Sequence, residues 1–158
     1  MRVHVEHRQH VPGHPDVLMD AFRADPAGWL PAPVRPAGPR RWRLELHAGP
    51  AQHEAIVEIG SAGAVPGGSS RTIRWWAPVT DGLVANRSDL IPELFGHMTL
   101  HTEAGGAVLS IAGDYEPPGG ALGALADIVL GRRVARSTVQ WMASAIEQGL
   151  SSGTPAAA

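Results

Sequence analysis

Gly106-Ala107-Val108-Leu109-Ser110-Ile111-Ala112-Gly113-Asp114-Tyr115-Glu116-Pro117-Pro118-Gly119 holds the junction on which the architecture turns. Its first ten residues alternate in the two-residue period of a strand. Two prolines then remove consecutive backbone donors, which stops a ladder and cannot continue a helix. Beyond them, Gly120 to about Leu150 reads as one long amphipathic helix, with Leu122, Leu125, Val129, Val134, Thr138, Trp141, Met142, Ala145 and Ile146 in a helical stripe. Gly131 interrupts that stripe, where a bend is expected. Some 30 residues at about 1.5 Å each would span roughly 45 Å. A helix of that length needs a large partner surface.

The upstream chain supplies strands for that surface. Val3–Val11 alternates, with Val3, Val5, His7 and Gln9 on one face and His4, Glu6, Arg8 and His10 on the other. Pro15 sits where a helix tolerates proline, and Val17, Leu18, Ala21 and Phe22 form the stripe of a short helix that Asp25-Pro26 closes. Residues 31–40 hold four prolines and a glycine and read as an irregular connection. Arg41–His47 alternates Trp42, Leu44 and Leu46 against Arg41, Arg43, Glu45 and His47, and His53–Ile59 follows a Gly49-Pro50 turn. Gly60–Ser70 reads as a mobile loop, Arg71–Val79 as a strand, and residues 80–92 as a longer connection. Leu94–Thr102 and Ala107–Tyr115 then make a hairpin. The expected class is α+β: a curved antiparallel sheet wrapped around a long C-terminal helix. Residues 1–150 form one domain, and Ser151–Ala158 an expected disordered tail.

Composition removes several chemistries. The chain of 158 residues has no cysteine, hence no disulfide, thiol nucleophile or thiolate metal site. All 13 basic residues are arginine, which excludes lysine Schiff bases and lysine general bases. A net charge of −2 offers no broad basic field for nucleic acid, and no apolar run approaches a membrane span. The charged start Met1-Arg2-Val3-His4 lacks a signal peptide's apolar stretch, so cytoplasm is expected.

The motifs that imitate active sites fail on geometry. In His4-Val5-Glu6-His7-Arg8-Gln9-His10, His7 points away from His4, Glu6 and His10, and His4 and His10 lie about 20 Å apart along a strand. His97 and His101 share a face but stand about 13 Å apart, so no metal is expected at either set. Gly119-Gly120-Ala121-Leu122-Gly123 with Asp127 imitates a dinucleotide loop, yet no parallel strand follows the helix. Gly60-Ser61-Ala62-Gly63 is no nucleophile elbow. Asp81, Asp89, Glu93 and Glu103 read as solvated charges, and no cofactor is expected.

The aromatic residues point to a different chemistry. If the apolar strand faces line one concavity, Trp42, Trp75 and Tyr115 converge on it with Met98 and His7, and Trp141 and Met142 face them from the helix. Pockets for flat apolar ligands are lined in this manner, with a few polar groups fixing orientation. His7 and Tyr115 are the expected polar contacts. The alternative for each side chain is that it simply fills the core.

Several motifs resemble bacterial members of the START-related SRPBCC superfamily: Trp29-Leu30-Pro31, Arg74-Trp75-Trp76-Ala77-Pro78, Leu94-Phe95-Gly96-His97-Met98, and Gly113–Gly119 followed by Leu122-Gly123. The resemblance covers nearly the whole chain and implies a helix-grip fold. It carries no catalytic residue over, because that superfamily has no shared triad and includes lipid and sterol carriers, hormone binders, polyketide aromatase/cyclases and chaperone co-factors. The leading expectation is carriage of a hydrophobic small molecule such as a lipid, isoprenoid or polyketide-like compound. Gly60–Ser70 and Asp81–Pro92 would be its entrance loops. The competing one is a polyketide aromatase/cyclase or dehydratase using His7 or Tyr115 as acid or base. A third is a chaperone-partner module using Trp76 and Arg74 on the outer face. Monomer and homodimer both stay open.

Overall fold

A computed structural model describes residues 2–78, 93–116 and 124–152. The elements are β1 (Val3–Pro12), α1 (Pro15–Arg23), β2 (Arg35–Gly38), β3 (Arg41–Ala48), β4 (Ala51–Ile59), β5 (Gly63–Val65), β6 (Gly68–Trp76), β7 (Glu93–Glu103), β8 (Gly106–Glu116) and α2 (Ala124–Ser152). The strands form one antiparallel sheet in the order β1-β8-β7-β6-β4-β3-β2, with β5 paired to β6. Helix α2 lies along β1 and reaches across to β3, so the sheet holds the helix in its concavity. This is the helix-grip α+β architecture.

Local chemistry explains the curvature. Gly96 and Gly113 face each other across β7 and β8. A Cβ on Gly96 would run into the Ala112 carbonyl and the Gly113 Cα, and one on Gly113 into Phe95 and Gly96 backbone. Two strands can approach that closely only where both side chains are missing, which lets the sheet bend around the helix. At the other end Gly149 of α2 sits against the Trp29 backbone, again where a Cβ would collide.

The concave face and α2 enclose the core. Leu44, Leu46, Val57, Ile59, Ile73, Trp75, Leu94, Met98, Leu100, Leu109, Ile111 and Tyr115 are buried from the sheet, and Ala135, Val139, Met142, Ala143, Ile146 and Leu150 from α2. Of the expected helix stripe, Thr138, Met142 and Ile146 are buried, whereas Val134, Trp141 and Ala145 sit half-buried at its margin. The buried line runs instead through Ala135, Val139, Met142 and Ile146. Small residues there let α2 lie close to the sheet.

Two expectations are corrected. Gly60–Ser70 is not a loop throughout: β5 and the start of β6 form a tight hairpin, with Gly63, Ala64 and Val65 opposite Ser70, Ser69 and Gly68. Its corner is Pro66-Gly67, and Gly67 takes a φ of 73°, the combination a type II turn uses. Residues 31–40 are not wholly irregular, since Arg35–Gly38 pairs with β3 as the edge strand. Helix α2 is continuous through Gly131 and ends at Ser152. The glycine cluster 119–123, the connection 80–92 and the tail beyond Ser152 lie outside the described residues.

Candidate functional site

Register brings the expected aromatic residues onto one line. Val3 pairs with Tyr115, Tyr115 with Leu94, Leu94 with Trp75, Trp75 with Val57, and Val57 with Trp42. Residues directly opposite one another share a face, so this row crosses six strands on the concave side. Tyr115, Trp75 and Trp42 occupy alternate strands of it, about 10 Å from one to the next at the usual strand spacing. Tyr115 and Trp75 are each only 1% exposed, whereas Trp42, next to the β2 edge, is half-buried against the core.

A second row lies four residues further along the strands, about 13 Å away. It runs His7, Ile111, Met98, Arg71. Met98 is fully buried, with Met142 of α2 in the same core cluster. His7 is half-buried, and its Nε2 lies 3.2 Å from Gln9 Oε1, so the two inward polar residues of β1 partner each other. His4 and His10, on the opposite face, are exposed and stand 3.2 Å from Asp114 and 3.5 Å from Glu103. Among the described residues no group of three or more His, Asp or Glu side chains is placed to hold a metal ion.

Trp141 occupies a different place from the rest of its set. Its ring stacks on His47 of β3 with centroids 4.5 Å apart and planes at 16°. It also lines a cleft with Leu30, Pro31 and Val34, on the β3 flank of α2. The helix therefore presents Met142 to the interior and Trp141 to its margin.

Tyr115 is the chemically distinctive residue of the site. Its hydroxyl is buried and has no hydrogen-bond partner among the described residues. Burial pushes its pKa above the usual tyrosine value, while the positive charges of Arg132 and Arg136 pull it partly back. The phenol is thus a neutral proton donor at physiological pH. It lines a cleft of about 370 Å³ with Val3, Val5 and the same two arginines, at the seam of β1 and α2. Sequence reasoning does not single out Arg132 and Arg136. Their spacing, one turn apart on the polar side of the helix, is the signal that could have found them.

Arg71 is a second residue that sequence reasoning misses. It shares the inward face of β6 with Ile73 and Trp75 and is 6% exposed. Its Nε donates to the Phe22 carbonyl at 3.0 Å, Nη1 to Gly60 at 2.8 Å, and Nη2 to Ala24 at 2.8 Å. The guanidinium also lies over the rings of Phe22 and Trp29, which stack on each other at 5.8 Å. It therefore caps the C-terminal end of α1, whose carbonyls have no partner within the helix. Desolvation lowers its pKa, and the nearby Asp25 carboxylate opposes that shift. These bonds tie α1 to the sheet, and Arg71 also lines, with Trp42, Asp25 and Gly60, a cleft of about 480 Å³.

On the outer face, Trp76 lies beneath the guanidinium groups of Arg41 and Arg74, at 5.4 and 4.9 Å. Those arginines are in turn paired with Glu58 at 2.7 Å and with Glu93 at 2.7 Å. The residues considered for protein docking are thus engaged in cross-strand contacts of the sheet itself.

Solved structures share this architecture. Over 96% of this chain and 99% of its own, TTHA0849 from Thermus thermophilus superposes with a TM-score of 0.57 at 12% identity. The Zhui aromatase/cyclase from Streptomyces sp. R1128 gives 0.51 at 14% identity over 98% and 94%. Ara h 8.0201 gives 0.51 at 16% identity over 96% and 99%. No family model and no curated protein sequence matches the chain. The fold is the helix-grip fold that these structures share. None of the helices among the described residues is long and apolar enough to cross a membrane.

Proposed function

We propose that this protein binds or carries a hydrophobic small molecule, of lipid, isoprenoid or polyketide-like character, between the concave sheet face and α2. One observation carries the reading: the Tyr115 hydroxyl is buried on an aromatic row with no partner among the described residues. An unsatisfied buried hydroxyl costs about 1–3 kcal/mol, and native proteins rarely retain one without use for it. A ligand acceptor would relieve that cost. Trp75, Met98 and Met142, packed in the core beside Tyr115, would supply its apolar contacts, with Trp42 and His7 at the sheet margins and Trp141 at the helix margin. No metal or cofactor enters this reading.

A second reading uses the same residues. As a neutral donor held in an apolar setting, Tyr115 has the protonation state of a general acid, which suits an aromatase/cyclase or dehydratase acting on a polyketide-like substrate. His7 fits such a role less well, since its ring nitrogen is engaged by Gln9. The binding reading is favoured because it needs only an apolar interior and the donor, and no positioned base.

Native mass spectrometry of the freshly purified full chain tests the proposal, together with fluorescence titration using anilinonaphthalene sulfonate. A retained lipid-like mass, or saturable probe binding displaced by such a lipid, is the expected result. Absence of both overturns the proposal.

A further inference from the structure

We infer that Tyr115, Arg132 and Arg136 form an anion-recognition corner at the mouth of the grip, and that the molecule held there is an amphipath with a carboxylate head. The inference rests on the binding reading above and adds the chemistry of the ligand's polar end.

The charges of the cleft carry it. Arg2, His4, Arg132 and Arg136 contribute basic groups to its wall, and Glu6 is its acidic residue. Arg2 is bonded to Glu116 at 3.1 Å, His4 stands 3.2 Å from Asp114, and Glu6 is held by Arg8 at 3.4 Å. Neither Arg132 nor Arg136 has an ion-pair partner among the described residues. Two cations one helical turn apart therefore flank a cleft whose carboxylate is already engaged elsewhere.

The same cleft is lined by Tyr115, a residue 1% exposed whose hydroxyl is unpartnered among the described residues. Tyr115 is close enough to feel both guanidinium charges. One O–H donor and two guanidinium groups match an oxygen pair bearing one negative charge, since charge-assisted bonds to carboxylate are the strong ones for both donor types. Next to this corner the wall is apolar through Val3 and Val5, and behind it Leu94 and Trp75 continue the concave row inside the buried core. A charged head at the rim with an apolar body directed inward satisfies both surfaces.

The test compares palmitate with hexadecanol, two ligands of equal chain length that differ in head charge, in competition with a fluorescent probe on the full chain. Palmitate is expected to bind at least about tenfold more tightly, as one or two charge-assisted bonds imply. In the Arg132→Gln, Arg136→Gln double variant that preference should fall below about threefold. Arg133→Gln, on the exposed side of the same helix, should retain it. Equal binding of both ligands by the unmodified protein, or a preference that survives in the double variant, overturns the inference while leaving the binding reading standing. Binding of neither ligand overturns the inference, and failure of the fluorescent probe itself to bind counts against the binding reading as well. The substituted arginines are exposed, so loss of folding does not confuse the outcome.

Discussion

Replacing Arg71 with methionine should detach α1 from the sheet, and the contacts set the size of the effect. Three charge-assisted hydrogen bonds to the carbonyls of Phe22, Gly60 and Ala24 are lost. Each is worth about 1.5–3 kcal/mol, a gross loss of roughly 5–9 kcal/mol. Against this stands the desolvation of the guanidinium, which the variant no longer suffers, at several kcal/mol. Methionine retains much of the packing against Phe22 and Trp29, so a net loss of about 3–5 kcal/mol is expected, the range found when one partner of a buried charged contact is removed. For a domain of this size that lowers the Tm by roughly 6 to 20 °C. Urea unfolding followed by circular dichroism measures it, and hydrogen exchange should show α1 amides losing protection first. Arg71→Lys keeps the charge but cannot fork to three carbonyls, so an intermediate loss is expected. Arg74→Ala is the control: its pair with Glu93 is close to half-exposed on both sides and should contribute less than about 1 kcal/mol. A loss below about 1 kcal/mol for Arg71→Met would mean that the guanidinium is no clamp.

Tyr115 is the chain's single tyrosine, so its titration can be read directly from tyrosinate absorbance. Its folded pKa is raised, chiefly by burial, so the folded state holds the proton more tightly than the unfolded chain. The corresponding stability is fully present below the unfolded value of about 10 and is lost as pH rises through the folded value. Tyr115→Phe should remove that alkaline loss and leave neutral-pH stability unchanged or up to about 1 kcal/mol higher; an ordinary titration in the native protein would contradict the burial argument. Gly96→Ala should destabilise by about 1–3 kcal/mol in urea unfolding, because the new methyl meets backbone of β8 rather than a movable side chain. A neutral effect would mean that the glycine pair is not what permits the bend.

Much of the architecture is legible in the sequence because its signals are local. The β7–β8 hairpin follows from alternation on both sides of Glu103–Gly106, and the inward placement of Trp75, Met98 and Tyr115 follows from strand parity alone. The Gly60–Ser70 hairpin escapes such a reading because small residues signal a turn but not whether ladders flank it. Gly68 and Ser69 pair on one side with β5 and on the other with β7, some 30 residues away.

The site is legible in residue type and illegible in arrangement. Alternation places Trp42, Trp75 and Tyr115 on one face, but only register puts them on a single row, and register depends on contacts between distant strands. Helical periodicity groups Met142 and Trp141 together, whereas the packed structure turns α2 until Ala135 and Ala143 lie inward and Trp141 meets His47 at the edge. The azimuth of a helix is set by which side allows the closest approach, and that is a property of two surfaces rather than of one sequence. Arg71 makes the same point: its partner Phe22 lies 49 residues away. A charge on an apolar strand face reads as an anomaly until tertiary packing brings the unpaired carbonyls of α1 to it. Residue order was enough for most of the elements and their inward faces, since these follow from periodicity within a short window, and the motif resemblance added the helix-grip class. The aromatic row, the clamp on α1 and the meeting of Tyr115 with Arg132 and Arg136 came only with the folded chain, because each joins groups whose proximity exists once distant segments have closed on one another.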